Sequence, residues 1–261
     1  MAEASQDERK DRLRSGVSAF AGRKALVVGG SGGIGAQVSL ELSRRQASVT
    51  VHGRSKAKAE ALCRRITASG GKAEALPYAL SAPGDLEAFC QAVSAKGGFD
   101  ILVVSYGPFI QKSLGEHSPG DWASAALWDL ALPGALSSLC LSGMKERGFG
   151  RILLFGGTRT DVIRPFSTNA AYAAAKTGLG VLAKSLAAEG ADRNVAAVLA
   201  CPGFVRTEYL DEASAARLAA KAPRSRLLDA SSLAAAALDL LDSDPCAASG
   251  AIVSFDGGLT L

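Results

Sequence analysis

Tyr172 and Lys176 stand four residues apart in the stretch NAAYAAAKTGLG, residues 169–180. Alanine on both sides favours helix, and residues four apart share a helix face. A phenol and an ammonium on one face can meet, and the cation favours phenolate, which lowers the tyrosine pKa. Bringing a phenol from about 10 to about 7 takes roughly 4 kcal/mol. A close, partly desolvated cation is suited to that, and the resulting pair would transfer protons near neutral pH. Alone, the spacing is common by chance and fits a solvated surface pair better.

A second motif changes the odds. Residues 25–35 read ALVVGGSGGIG. An apolar run ends in glycines, and an amphipathic segment (Val38, Leu40, Leu42) follows, so the order is strand, tight turn, helix. Such a turn lets backbone approach a pyrophosphate, and the helix N-terminus favours negative charge. Two registers fit: Gly30, Gly32 and Gly35, or Gly29, Gly33 and Gly35. Ser31 and Ile34 lie within the turn.

Strand two should end about 20 residues further on, where an NAD site carries an acid for the ribose 2′-hydroxyl. The chain reads VTVHGRSK over 49–56. It has no acid there and places Arg54 beside Ser55 and Lys56. A carboxylate repels a 2′-phosphate, whereas Arg binds it. This favours NADP over NAD, although Arg, Ser and Lys are also ordinary turn residues.

Other chemistries find little support. The two histidines, His52 and His117, lie far apart, and no Cys-x-x-Cys occurs, so no metal site is expected. His52 reads as a strand-end residue and His117 as a loop residue.

The elements that must position these residues alternate. Strand-like runs occupy 25–28, 47–51, 73–78, 101–104, 152–155, 195–200 and 251–255. Helical patterns occupy 56–69, 85–95, 121–144, 170–188 and 231–241, with Pro133 kinking the long one. The expected fold class is α/β, a single Rossmann-type doubly wound parallel sheet of about seven strands with helices on both faces. Ligands should bind at the carboxyl ends of the strands.

Composition sets the remaining bounds. The 261 residues are 48% hydrophobic and 21% charged, enough for one well-packed domain. Residues 1–20 are expected to be a charged, disordered extension, and 21–261 a single NADP-binding catalytic domain. The five scattered cysteines suggest reduced thiols and a cytoplasmic location. No apolar run reaching about 18 residues is apparent, so no membrane insertion is expected. The net charge of +4 is mild, and no basic run with interleaved aromatics points to nucleic acid.

Glycine turn, Arg54 and Tyr172-x-x-x-Lys176 together resemble the short-chain dehydrogenase/reductase family over about residues 20–261. The resemblance extends to its 3-oxoacyl-thioester reductase-like members. Gly107 sits in the segment after strand four where the family has Asn-Asn-Ala-Gly. Pro202, Gly203, Val205 and Thr207 resemble its Pro-Gly loop, whose Thr holds the nicotinamide carboxamide. The resemblance implies Tyr172 as general acid to a carbonyl oxygen while NADPH delivers hydride. Lys176 would lower the tyrosine pKa and bind the ribose.

Several positions depart from the family pattern. Strand alignment puts Gly157 where a polarising Ser is usual, and counting back from Tyr172 lands on Arg159. Thr158 is taken as the replacement hydroxyl, with Thr160 the alternative. Asp129 replaces a relay Asn, and Ala79 replaces an adenine-contacting Asp, leaving Leu80 backbone contacts. Val104 and Ser105 replace the Asn pair. Tyr106, Phe109, Phe166, Phe204 and Tyr209 are candidate substrate walls, and residues 207–228 a helical lid.

The expected function is NADP(H)-dependent reduction of a hydrophobic ketone or 3-ketoacyl thioester, a small-molecule carbonyl/alcohol substrate. In the resembling family the long helices pair, which implies a homodimer or homotetramer. The alternative is a catalytically weak or inactive nucleotide-binding sensor or interaction protein.

Overall fold

The computed structural model describes residues 17–260. Most of the expected N-terminal extension lies outside them. Its last residues belong to the packed body: Phe20 is fully buried, and the Ser18 hydroxyl donates to Asp242 at 2.8 Å.

Seven parallel strands form one sheet: β1 (Lys24–Val28), β2 (Ser48–Gly53), β3 (Lys72–Pro77), β4 (Ile101–Val104), β5 (Gly150–Phe155), β6 (Val195–Pro202) and β9 (Ile252–Phe255). Their spatial order is β3-β2-β1-β4-β5-β6-β9. The doubly wound sheet expected from the alternating pattern is therefore present. A two-residue parallel pair, β7 (Val205–Arg206) with β8 (Leu228–Asp229), closes the base of the 207–228 excursion.

Strand residues alternate between two apolar layers, as a period of two requires. Ala25, Val27, Ile101 and Val103 face one core beneath α1 (Gly33–Arg44), α2 (Lys56–Ala68) and α8 (Ala230–Asp239). Leu26, Val28, Leu102 and Val104 face the other, beneath α3 (Asp85–Ser94), α5 (Leu132–Arg147) and α6 (Ala170–Gly190). Helix α7 (Glu212–Ala219) lies within that excursion.

The long helix differs from its expected single kink at Pro133. It runs as α4 (Pro119–Ala125), a π-helical segment Ala126–Ala131 and then α5. Pro133 has no N–H to give the carbonyl of Asp129 four residues earlier, and its ring would crowd that carbonyl. Widening the turn to π relieves both problems. The stretch Pro119–Arg147 is long and apolar enough to span a membrane by length and composition, contrary to the reading of short apolar runs. Its face bearing Leu132, Leu136 and Met144 is fully buried against the sheet.

Candidate active site

The chain winds outward from β1 in both directions, so strands β1 and β4 flank the switch point where open α/β sheets bind ligands. Gly29 leaves β1 at φ +77°, and a Cβ there would meet the Ser105 carbonyl oxygen at 2.5 Å. Only glycine suits that turn. Gly29 and Gly33 both have positive φ, whereas Gly32 is extended. Positive φ thus falls on Gly29 and Gly33 of the wider register, and Gly35 lies in the first turn of α1, which opens at Gly33.

His52 secures this turn. Its Nδ1 accepts the Gly29 N–H at 3.1 Å, and its Nε2 faces the Tyr78 carbonyl at 3.2 Å. Burial pushes its pKa down to about 4, so the ring is neutral with the proton on Nε2. It is indeed a strand-end residue, but it also ties the end of β1 to the end of β3. A buried polar residue inside an apolar strand was the available signal.

Arg54 is exposed just beyond β2 and makes no ion pair among the described residues. Ser55 caps α2, accepting from the Lys58 N–H at 3.4 Å. The Leu80 carbonyl accepts from the Tyr106 hydroxyl at 3.1 Å. Tyr106 also packs edge-on against Trp128.

Helix α6 brings Tyr172 and Lys176 together, with Lys176 Nζ 5.7 Å from the phenol ring centre. Lys176 is buried, and Nζ donates to the carbonyls of Phe155 at 3.1 Å and Tyr106 at 3.4 Å. It is also 3.2 Å from Asp129 Oδ1. Gly107 makes room for this group: a Cβ there would lie 1.8 Å from Asp129 Oδ1 and 3.3 Å from Lys176 Nζ. Asp129 is fully buried, and neither carboxylate oxygen has an aligned hydrogen bond among the described residues.

The electrostatics correct the expected tyrosine shift. Burial first, and the Asp129 charge second, hold the Tyr172 phenol above its ordinary value. The Lys176 ammonium, 3.2 Å from Asp129 Oδ1, does not offset this rise. Burial likewise lowers Lys176, opposed by Asp129, and raises Asp129 to about 6 against the pull of Lys176.

The loop after β5 puts Gly157 against the phenol. A Cβ at Gly157 would meet the Tyr172 ring at 2.7 Å and its hydroxyl at 2.9 Å. The position beside the phenol thus carries no hydroxyl. The Thr160 hydroxyl is buried, accepting from the Gly157 N–H at 2.8 Å and donating to the Gly157 carbonyl at 3.0 Å. Thr158 is half-buried, and its hydroxyl donates to the Gly203 carbonyl at 3.3 Å. Phe109 meets the Tyr172 ring edge-on at 5.1 Å.

Pro202 ends β6, Gly203 follows it, and Val205 begins β7. Beyond them Thr207 approaches the glycine turn, its Cγ2 3.8 Å from a Cβ placed on Gly33. The turn already accommodates an anion, since the Glu208 carboxylate accepts the Gly33 N–H at 2.9 Å. The donors present therefore fit a dinucleotide diphosphate. Among the described residues no cluster of three or more His, Cys, Asp or Glu could hold a metal ion.

A glycine turn at the switch point and a Tyr–Lys pair at the strand ends define a dinucleotide-binding α/β oxidoreductase. The chain belongs to the short-chain dehydrogenase family, whose model matches residues 23–218. It is 30% identical over 244 residues to a 3-oxoacyl-(acyl-carrier-protein) reductase of Haemophilus influenzae, covering 92% of this chain and 99% of that protein. Nodulation protein G of a Rhizobium species matches at 30% identity, with 92% and 98% covered. Among solved structures, a 3-oxoacyl (acyl-carrier-protein) reductase from Agrobacterium tumefaciens with NADP bound superposes with a TM-score of 0.82 at 30% identity, covering 92% and 95%. A putative gluconate dehydrogenase from the same species gives 0.81 at 26% identity, covering 93% and 98%.

Proposed function

We propose that the chain is an NADP(H)-dependent reductase of a hydrophobic carbonyl compound, with Tyr172 as general acid. The observation that carries this reading is the Tyr172–Lys176–Asp129 group at the ends of β4 and β5, beside a glycine turn already holding an anion. Gly29, Ser31, Gly33, Ile34 and Gly35 would hold the diphosphate, and Arg54 with Ser55 the 2′-phosphate. Leu80 would border the adenine. Gly107, Pro202, Gly203, Val205 and Thr207 would border the nicotinamide end. When bound, NADPH supplies the hydride.

The chain's own residues handle the proton. Burial and Asp129 keep the Tyr172 phenol protonated through neutral pH, ready to donate to a carbonyl oxygen that gains charge. Lys176 would release its long bond to Tyr106 to meet a ribose hydroxyl. Thr158, half-buried with one long bond, would turn to the substrate oxygen as a second donor; Thr160 is committed to Gly157.

Exposed apolar side chains at Phe109, Val162 and Ile163 support a hydrophobic substrate. The names of the reductase relatives support a 3-ketoacyl thioester. Exposed Leu130 and Leu139 on the long helix and Val181 on α6 support pairing of these helices between subunits.

One observation favours a second reading, a nucleotide sensor with little turnover: the position beside the phenol is Gly157 and carries no hydroxyl. NADPH depletion over ketones and 3-ketoacyl thioesters, run beside an NADP binding titration, separates the two. Turnover on a thioester supports the reductase. Binding without turnover across the panel supports the sensor.

A further inference from the structure

The segment following β7 lies across the nucleotide cleft. Glu208 reaches the N-terminus of α1, 175 positions away in sequence, to accept the Gly33 N–H at 2.9 Å. Helix α1 has no side-chain cap at Gly32 and no acid in its first turn, so this carboxylate serves as its cap from a distant part of the chain. Tyr209 lies alongside. A Cβ on Gly32 would fall 1.9 Å from the Tyr209 hydroxyl and 2.8 Å from Glu208 Oε1, and one on Gly33 would fall 3.2 Å from the Tyr209 ring. The other side of the Tyr209 ring region reaches α2, with Lys58 Nζ 5.7 Å from the ring centre. The segment therefore spans from the glycine turn to the helix that Arg54 precedes.

We infer that Glu208 is an internal competitor for the dinucleotide diphosphate, and that residues 207–212 gate the cofactor cleft by seating its carboxylate on the glycine turn. The inference rests on the reading of this turn as the NADP(H) site. A carboxylate and a phosphate seek the same donors at a helix N-terminus, so both cannot occupy the Gly33 N–H. Cofactor must displace Glu208, and Tyr209 must leave the face of Gly32 as it does so. Tyr209 is thus a cleft cover in this conformation and not a substrate wall. Apparent affinity falls by the fraction of molecules in which the turn is open. One charge-assisted contact of this kind biases that fraction by roughly tenfold.

The test is calorimetric titration of the full chain with NADPH and, separately, with adenosine 2′-monophosphate, which has no diphosphate. Glu208 is exposed, so Glu208→Ala and Glu208→Gln should fold normally, and circular dichroism checks this. The expected result is NADPH binding roughly tenfold tighter in Glu208→Ala, with a smaller gain in Glu208→Gln. Adenosine 2′-monophosphate affinity should stay unchanged in both. Unchanged or weaker NADPH binding in Glu208→Ala would overturn the inference while leaving the cofactor reading intact. An equal gain for both ligands would also overturn it, because the effect would then not concern the diphosphate. Absence of NADPH binding in all three proteins would overturn both.

Discussion

Lys176 Nζ lies 3.2 Å from Asp129 Oδ1, with both side chains buried beneath Tyr172. The carboxylate adds to the upward shift that burial imposes on the phenol. The charge state of the phenol therefore answers to Asp129 as well as to burial.

Removing the Asp129 charge should show this. A nearby anion disfavours phenolate, so Asp129→Asn should lower the Tyr172 pKa. The descending limb of the pH profile for carbonyl reduction, where the protonated acid is lost, should then move to lower pH. Stability gives an independent readout. Asp129 is raised from 3.8 to about 6 in the folded chain, so its contribution to stability is present below about pH 4 and is lost as pH rises through about 6. Denaturant unfolding of Asp129→Asn should lack that slope. An unmoved pH limb would show that the carboxylate is not felt at the phenol.

Arg54→Ala should weaken NADP binding at least tenfold, since a charge-assisted bond contributes about 1.5–3 kcal/mol. NAD binding should hardly change. Titration of both cofactors decides it, and an equal loss for each would remove Arg54 from the 2′-phosphate.

Gly107→Ala should destabilise the chain without touching the apolar core. The added methyl would fall 1.8 Å from Asp129 Oδ1, and overpacking of this kind costs about 1–3 kcal/mol. The check is a shift in the urea midpoint at unchanged slope; an unshifted midpoint would mean the Asp129–Lys176 group yields freely.

The two threonines should separate by readout. Thr160→Val leaves the buried Gly157 N–H unsatisfied and should cost about 1–3 kcal/mol of stability. Thr158→Val should leave stability nearly intact and lower kcat by roughly five- to tenfold, the worth of one neutral hydrogen bond. Reversal of this pattern would assign the substrate-facing hydroxyl to Thr160.

The fold was legible because its signals are local and periodic. Runs such as 101–104 and 152–155 alternate between two cores, and glycine at 29, 33 and 35 marks the turn. The pairing of Tyr172 with Lys176 followed from helical spacing alone. What spacing does not carry is contact between distant segments. Burial of the Tyr172 phenol, and after it the nearby Asp129 charge, depend on packing of the long helix against α6, and together they reverse the direction of shift that helical spacing alone suggests. The π segment at 126–131 needed Pro133 to be read for the carbonyl it strands, not only as a kink. The Tyr106 hydroxyl bonds to Leu80, a contact between the loops after β4 and β3 that sequence spacing does not show. Glu208 reaches Gly33 across 175 positions, a relation no local pattern reveals.

The most direct test of the central claim is Tyr172→Phe, which removes the proton donor and keeps the ring. With NADPH and a 3-ketoacyl thioester, kcat should fall by about 10²–10⁴-fold, the usual contribution of general acid catalysis. The dissociation constant for NADPH, measured on the same protein, should stay close to that of the unaltered chain. Near-normal turnover in Tyr172→Phe would contradict the account, whichever threonine faces the substrate.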